Sequence, residues 1–216
     1  MKKINPWISS AFVLTIISIV ITVLFYSKLP AEVPTHFNVS GTPDAWSSKS
    51  FVFFTAILPF LIGGLTLLLP KIDPKRSSFI KHSKAYNIFM FVIMLFMIGL
   101  HWSTMLFALG YNVSINKVVM LSIGILFIII GNYMPQIRPN YTFGIKTPWA
   151  LYDENNWRST HRFGGYMFIL MGLTAFLYFF ISTQFMAIVF FTVVLAGTFV
   201  SYLYSYLYFR KHNTPK

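Results

Sequence analysis

Six long stretches without a charged side chain dominate this sequence, and they restrict the fold more than any other feature. They occupy residues 7–26, 51–69, 85–109, 118–134, 163–182 and 185–209. A helix needs about 20 apolar residues to cross the roughly 30 Å hydrocarbon layer of a membrane, because each residue adds about 1.5 Å. All six stretches meet or approach that length. We therefore predict six transmembrane helices.

The composition supports this interpretation. Hydrophobic residues make up 56% of the 216 residues and charged residues only 10%, which is too apolar for a water-facing surface. Within lipid, a helix pairs all its own backbone groups. The sequence thus predicts an all-α membrane protein, a six-transmembrane-helix bundle in which residues 1–216 form a single polytopic domain. The first stretch follows Lys2 and Lys3, but its length and the lack of a cleavage site indicate an anchor rather than a signal peptide.

The net charge of +12 is explained by membrane topology. If the N-terminus lies in the cytoplasm, 14 of the 17 lysine and arginine residues fall on the cytoplasmic side of the predicted helices, and only Lys28, Lys49 and Lys117 fall outside. Lysine and arginine in short loops favour the cytoplasmic side. We predict that both termini are cytoplasmic, and we expect no direct nucleic-acid partner.

Two connections are long enough to carry function: an extracytoplasmic loop at residues 27–50 and a cytoplasmic loop at residues 135–162. The first contains three prolines and Gly41, which argue against a long helix. Its potential metal ligands Glu32, His36 and Asp44 are irregularly spaced and the chain has no cysteine, so we expect no metal site. Trp46 is typical of the aromatic residues that lie at the membrane–water interface, and we expect it to anchor the chain there.

The cytoplasmic loop contains GIKTPWALYDENNWRSTHRFGG, an unusually polar and aromatic segment in so hydrophobic a chain. Residues 153–161 are compatible with a short amphipathic helix, in which Trp157 and His161 share one face at the membrane boundary. Asp153, Glu154 and His161 include an acid and a base, and Thr147 or Thr160 could serve as a nucleophile. A catalytic set must converge on one substrate atom from a supporting scaffold, which one short loop rarely supplies. We expect no enzymatic activity and no cofactor.

Polar residues inside the predicted helices have structural interpretations. We expect His101 to hydrogen-bond a neighbouring helix, because an unpaired polar group in lipid is costly. Gly197, Ser201 and Ser205 recur every four residues and should let another helix approach closely. The predicted helices contain no carboxylate, which argues against ion-coupled transport.

Two segments carry a resemblance to a known family. The stretch GNYMPQIRPNYTFGIKTPWALYDENNWRSTHRFGG resembles the signature of SdpI-type immunity proteins, with its G-I-K-T-P-W-x-L run, acidic pair and W-x-x-x-x-R-F. The stretch LPAEVPTHFNVSGTPDAWSSK is similar to the short domain that precedes this signature in such proteins. Together the segments cover roughly a quarter of the chain, and they occur in the family's order.

The resemblance implies a multi-pass protein of the bacterial plasma membrane that confers immunity to a secreted, membrane-active toxin peptide. It also implies a signal transducer that holds a small winged-helix repressor at the membrane when toxin is present. Membrane lipid would be a further partner.

We combine this resemblance with the two long loops to predict two sets of site residues. The predicted toxin-facing residues are His36, Asn38, Asp44 and Trp46. The predicted repressor-docking residues are Gly144, Lys146, Thr147, Pro148, Trp149, Trp157, His161 and Arg162.

An alternative function is a transporter or a lipid- or amphiphile-handling protein. Its cavity would be lined by Asn87, His101, Asn132 and Gly197.

Overall fold

A computed structural model of the protein describes residues 5–81 and 83–213. In these residues the chain forms eight helices and one β-hairpin. The helices are α1 (Pro6–Phe25), α2 (Phe51–Ile72), α3 (Arg76–Lys81), α4 (Ser83–Ala108), α5 (Ile115–Tyr133), α6 (Pro148–Tyr152), α7 (Glu154–Phe180) and α8 (Gln184–Asn213). The strands are β1 (Glu32–Phe37) and β2 (Pro43–Ser48), and single 3₁₀ turns follow α1 and α5.

Six of these helices are long and apolar enough to cross a membrane, as the sequence predicts. They are α1, α2, α4, α5, α7 and α8. The main difference concerns α7, which begins at Glu154 rather than at residue 163, so that the predicted short helix over residues 153–161 is its first part. Asp153 caps this helix by accepting hydrogen bonds from the amides of Asn155 and Asn156 at 3.0 and 3.1 Å. Such a carboxylate stabilises a helix start.

The prediction of an all-α fold is wrong at the first long loop, because β1 and β2 pair as an antiparallel hairpin. The turn between them depends on Asn38, whose side-chain oxygen accepts hydrogen bonds from the amides of Ser40 and Thr42, both at 3.0 Å. Gly41 adopts a φ of 80°, a conformation that glycine reaches without strain. The hairpin is anchored through Val33, which is buried in a cluster that includes Met105 of α4.

The long helices form two groups of three. Helices α1, α2 and α4 pack on one another, and α7 packs between α5 and α8. The contact between α4 and α5 joins the groups. His101 of α4 ties the first group together, because its Nε2 lies 2.8 Å from the hydroxyl of Thr22 in α1 and its Nδ1 lies 2.9 Å from that of Thr55 in α2. The expectation that His101 bonds neighbouring helices is confirmed.

Helices α5 and α7 touch through their backbones. Gly131 faces Gly165, and Gly124 faces Gly172. A Cβ atom added to Gly131 would lie 2.6 Å from the carbonyl oxygen of Gly165, which is closer than such atoms approach in proteins. Small residues at a helix interface permit this proximity. The pair α5–α7 therefore behaves as one closely packed unit running through the bundle.

Small residues on α8 provide the second close contact with α7. Ser201 and Ser205 are buried, and a Cβ atom added to Gly197 would meet the side chains of Met171 and Met167 of α7. The prediction that this face receives another helix is confirmed.

Candidate functional site

The two motif-bearing segments lie at opposite ends of the helix bundle. We call the end formed by β1, β2 and the connections after α4 and α7 the hairpin end. We call the end formed by α3, α6 and residues 134–153 the signature end. Helix α7 connects the two, since it starts at Glu154 next to α6 and finishes at Phe180 near the hairpin.

The four predicted toxin-facing residues are exposed at the hairpin end. His36 on β1 and Asp44 on β2 face each other, with Nδ1 and Oδ1 2.5 Å apart. Trp46 is 52% exposed on β2. Asn38 is already engaged in forming the turn. These four residues lie on one hairpin but do not enclose a pocket.

The hairpin tip instead borders a crevice that sequence reasoning missed. Val39, Asn116 of α5 and Tyr178 of α7 line a cavity of about 410 Å³ and an adjoining apolar cavity of about 250 Å³, both of which extend to Ala187 and Phe191 of α8. The Tyr178 hydroxyl donates to the Val39 carbonyl at 3.5 Å and accepts from the Asn116 amide at 3.4 Å. In the sequence, Tyr178 looks like any other aromatic residue of an apolar helix.

A second crevice of about 320 Å³ lies beneath the hairpin. It is lined by His36 and Phe37 of β1, by Thr55 of α2, and by His101 and Ser103 of α4. His101 itself is buried. This crevice therefore leads from the hairpin surface toward the hydrogen-bonded histidine inside the bundle.

Trp157 and His161 form the centre of the signature end. Both side chains are 0% exposed, and their rings stack with centroids 4.1 Å apart. The Trp157 indole donates to the Ile137 carbonyl at 2.9 Å. The predicted pairing of the two residues on one helix face is confirmed, but this face is covered by protein and does not lie against lipid. Residues 137–147, which we call the signature segment, fold over it and bury it.

His161 holds that covering segment through both ring nitrogens. Its Nε2 accepts a hydrogen bond from the Ile145 amide at 3.1 Å, and its Nδ1 bonds the Trp157 carbonyl at 2.9 Å. Because a backbone N–H can only donate and a carbonyl can only accept, this geometry requires a neutral imidazole with its hydrogen on Nδ1. Gly144 has a φ of 106°, and a Cβ atom there would collide with the His161 ring. Glycine is therefore needed at this turn.

A directed chain of buried hydrogen bonds joins α6, α7 and α8. The Ala150 amide donates to the Thr147 hydroxyl at 3.0 Å, Thr147 then donates to Ser205 at 2.6 Å, and Ser205 donates to the Asn156 side-chain oxygen at 2.9 Å. Thr160 donates to the same oxygen at 2.8 Å. Every hydroxyl is satisfied, so the chain defines one arrangement of the three helices.

The eight predicted docking residues thus separate into two groups. Thr147, Trp157 and His161 are buried and hold the signature segment in place. The others reach the surface: Gly144, Lys146, Pro148 and Arg162 are exposed, and Trp149 is half-buried against Tyr206 of α8 with ring centroids 5.0 Å apart. The Lys146 ammonium also closes its own loop by donating to the carbonyls of Tyr141 and Thr142, both at 3.2 Å.

Asp73 is a further residue of the signature end that sequence reasoning missed. It is buried, and its two carboxylate oxygens accept from the Lys75 amide at 2.7 Å and from the Tyr141 amide at 2.9 Å. It therefore ties the connection after α2 to the signature segment, although the two are far apart in sequence. Its position directly after the α2 helix could have suggested a capping role, but not this long-range contact.

The residues considered for catalysis do not converge on a common point. Asp153 caps α7, Glu154 forms an ion pair with Arg158 at 2.6 Å, and His161 is bonded at both nitrogens. Thr147 and Thr160 belong to the buried hydrogen-bond chain. Each group has a structural partner.

Six long apolar helices define the chain as a multi-pass membrane protein. Residues 136–205 match the model of the SdpI/YfhL protein family, and residues 13–63 match that of a domain of unknown function, DUF1648. The chain is 29% identical over 203 residues to Immunity protein SdpI from Bacillus subtilis (strain 168), covering 94% of this chain and 96% of that protein. No solved structure matches the chain. The chain is therefore similar to an SdpI-type protein over nearly its whole length.

Proposed function

We propose that the protein confers immunity to a secreted, membrane-active toxin peptide. The observation that carries this proposal is the similarity to the Bacillus subtilis immunity protein, which extends over nearly the whole of both chains. The distribution of lysine and arginine favours a cytoplasmic signature end and an extracytoplasmic hairpin end. A toxin arriving from outside then meets the hairpin first.

The hairpin end offers a toxin peptide both polar and apolar contacts. The exposed hairpin residues His36, Asp44 and Trp46 lie on one side. The apolar cavity beside Tyr178 accommodates hydrophobic side chains of a membrane-active peptide. We therefore assign toxin contact to the hairpin together with this cavity, while Asn38 maintains the turn.

We further propose that toxin binding is transmitted to a small winged-helix repressor at the signature end. Helix α7 supports this, because Tyr178 lines the hairpin-end crevice and Trp157 and His161 of the same helix hold the signature segment. A toxin that prefers one position of α7 would shift the population of signature-end arrangements. Lys146, Pro148, Trp149 and Arg162 would contact the repressor, and the buried residues would position them.

Protection of living cells tests the immunity function. The chain is expressed in a toxin-sensitive strain that is challenged with the secreted toxin peptide of the SdpI relative. We expect the wild type to restore growth and Trp46→Ala to reduce protection. Tyr111→Ala is the matched control, because Tyr111 is also an exposed aromatic residue at the hairpin end but lies in the connection after α4. Growth no better than that of cells without the chain would contradict the proposal.

Orientation and repressor docking are tested separately. Because the chain has no cysteine, Ser40→Cys and Lys146→Cys provide single labelling sites, and we expect an impermeant thiol reagent to label only Ser40→Cys in intact cells. Labelling of Lys146→Cys would refute the orientation.

For docking, we expect Trp149→Ala to lose recruitment of a tagged repressor while the cells still survive the toxin. Arg158→Ala, at another exposed site of the same end, is the control, and equal recruitment by both variants would refute the docking surface.

A second candidate function is the handling or transport of amphiphiles. The crevice beneath the hairpin favours it, because this crevice extends from His36 to the buried His101. The proposed lining residues are otherwise dispersed, since Gly197 is packed against methionines of α7 and Asn132 is exposed. Flux of a labelled amphiphile into proteoliposomes is the test, and flux equal to that of empty vesicles would refute this function.

A further inference from the structure

A pocket at the signature end brings three basic side chains together. It has a volume of about 320 Å³ and lies between α3 and α6. Lys75 lies in the turn between α2 and α3, Lys81 is the last residue of α3, and Arg138 comes from the signature segment. The hydroxyl-bearing residues Ser77 and Ser78 complete its polar lining. Membrane topology explains why basic residues lie at this end, but not why they converge on one cavity.

The lining of the pocket has more basic than acidic side chains. Its lining contains one acidic side chain, Glu154, and this carboxylate is paired with Arg158 at 2.6 Å. Like charges that line one cavity repel each other, and a bound anion would offset that repulsion. Lysine, arginine and serine are also the side chains that donate hydrogen bonds to phosphate oxygens.

The walls of the pocket are held in position by hydrogen bonds. The carboxylate of Asp73 binds the backbone on both sides, at the amides of Lys75 and Tyr141. The ammonium group of Lys75 lies 5.3 Å from the centroid of the Tyr141 ring, a cation–π contact that limits its motion. Arg138 directly follows Ile137, whose carbonyl is bound by the Trp157 indole. Lys75 and Arg138 therefore extend from backbone that buried side chains hold in place.

The pocket also lies beside the ends of two helices that are long and apolar enough to cross a membrane, and lipid phosphates are expected near such helix ends. Helix α2 ends at Ile72, three residues before Lys75, and α7 begins at Glu154, which is itself part of the lining. We propose that this pocket binds a phosphate group, supplied either by an anionic phospholipid headgroup or by a soluble phosphate, and that the bound phosphate joins the connection after α2 to the signature segment. This inference does not depend on the immunity function.

The test uses the full-length chain in nanodiscs of zwitterionic phosphatidylcholine. One arm adds phosphatidylglycerol to the discs, and the other adds inorganic phosphate at constant ionic strength. The apparent Tm is followed by circular dichroism, and native mass spectrometry counts retained phosphatidylglycerol. We expect at least one probe to raise the Tm, because a ligand that binds only the folded state stabilises it. Stabilisation by phosphate identifies a soluble ligand, and stabilisation by phosphatidylglycerol alone identifies a lipid headgroup.

Two double variants separate this pocket from general surface charge. Lys75→Gln with Lys81→Gln removes two charges from the lining, whereas Lys71→Gln with Lys84→Gln removes two charges from neighbouring exposed positions outside it. We expect the first pair to weaken the response at least about tenfold in ligand concentration, because direct charge-assisted hydrogen bonds to phosphate are lost. The second pair should respond like the wild type.

Three results would overturn the proposal: no stabilisation by either probe, an equal loss in both double variants, or an unchanged response in the pocket variant. If the pocket variant has a lower Tm without any anion, Lys81→Gln alone provides the comparison, because Lys81 is exposed. Loss of the response to the stabilising probe in this single variant supports the site, and a wild-type response counts against it.

Discussion

The buried hydrogen-bond chain at the signature end leads to a prediction about Thr147. Replacing it with valine keeps nearly the same shape but removes a hydroxyl that accepts from the Ala150 amide at 3.0 Å and donates to Ser205 at 2.6 Å. The first bond caps α6, and the second joins that helix to α8. Since Thr147 is fully buried, water cannot replace either bond.

The expected loss of stability follows from these two bonds. Loss of a side-chain cap costs about 1 kcal/mol. An interhelical hydrogen bond in a membrane protein contributes about 0.6 to 1 kcal/mol. The valine methyl group occupies the space of the hydroxyl, so no cavity term is added. We expect Thr147→Val to reduce the free energy of unfolding by about 2 kcal/mol.

Unfolding in mixed micelles, followed by circular dichroism, measures this loss. Thr198→Val is the matched control, because Thr198 is exposed on α8 and its hydroxyl bonds only the Val194 carbonyl of the same helix. We expect the control to change stability by less than about 0.5 kcal/mol. A double-mutant cycle of Thr147→Val with Ser205→Ala should give a coupling energy of about 0.6 to 1 kcal/mol. Equal stabilities of Thr147→Val and Thr198→Val would refute the reasoning.

Three further predictions concern the contacts that organise the bundle. Gly131→Ala should destabilise the protein by about 1–3 kcal/mol, because its methyl group would meet a carbonyl of α7. Gly99→Ala is the control and should not destabilise it, because a Cβ atom at Gly99 would meet no neighbouring group within 4 Å. Equal unfolding midpoints of the two variants would contradict the prediction. His161→Phe keeps an aromatic ring but leaves the Ile145 amide without its acceptor, so unfolding experiments should show a loss of about 1–3 kcal/mol, whereas wild-type stability would contradict the assigned bond. Asp73→Ala should speed hydrogen exchange of the two amides that its carboxylate binds, and unchanged protection would show that the contact is dispensable.

The helices were predictable because membrane insertion depends on local composition. Each apolar stretch must satisfy its own backbone, so its length and hydrophobicity suffice to locate it. The start of α7 was harder, because Glu154, Arg158 and Arg162 lower its hydropathy. Asp153 carries the signal for the true start, as a capping residue followed by helix-compatible residues.

The hairpin and the buried signature core were not predictable, because both depend on long-range contacts. Prolines in β1 and β2 obscure the strand pattern, and the hairpin is stabilised by Val33 packing near Met105 of α4. Trp157 and His161 are four residues apart, so their common face follows from helix geometry. Whether that face meets lipid, water or protein depends on where residues 137–147 fold, and local sequence does not determine this.

The division of the signature end into buried and exposed residues bears on the proposed transmission of a signal through the bundle. Gly131 and Gly165 hold α5 and α7 in backbone contact, so α7 cannot bend locally toward a ligand without moving α5. In the proposed transmission, a change at Tyr178 would therefore displace the helix pair, and at the other end the bonds of His161 and Asn156 would pass this displacement to the signature segment and to α8. Buried residues in such a device determine the stability of its states. The exposed residues determine what each state binds. Substitutions of buried residues should therefore lower stability, whereas substitutions of exposed residues should reduce repressor recruitment.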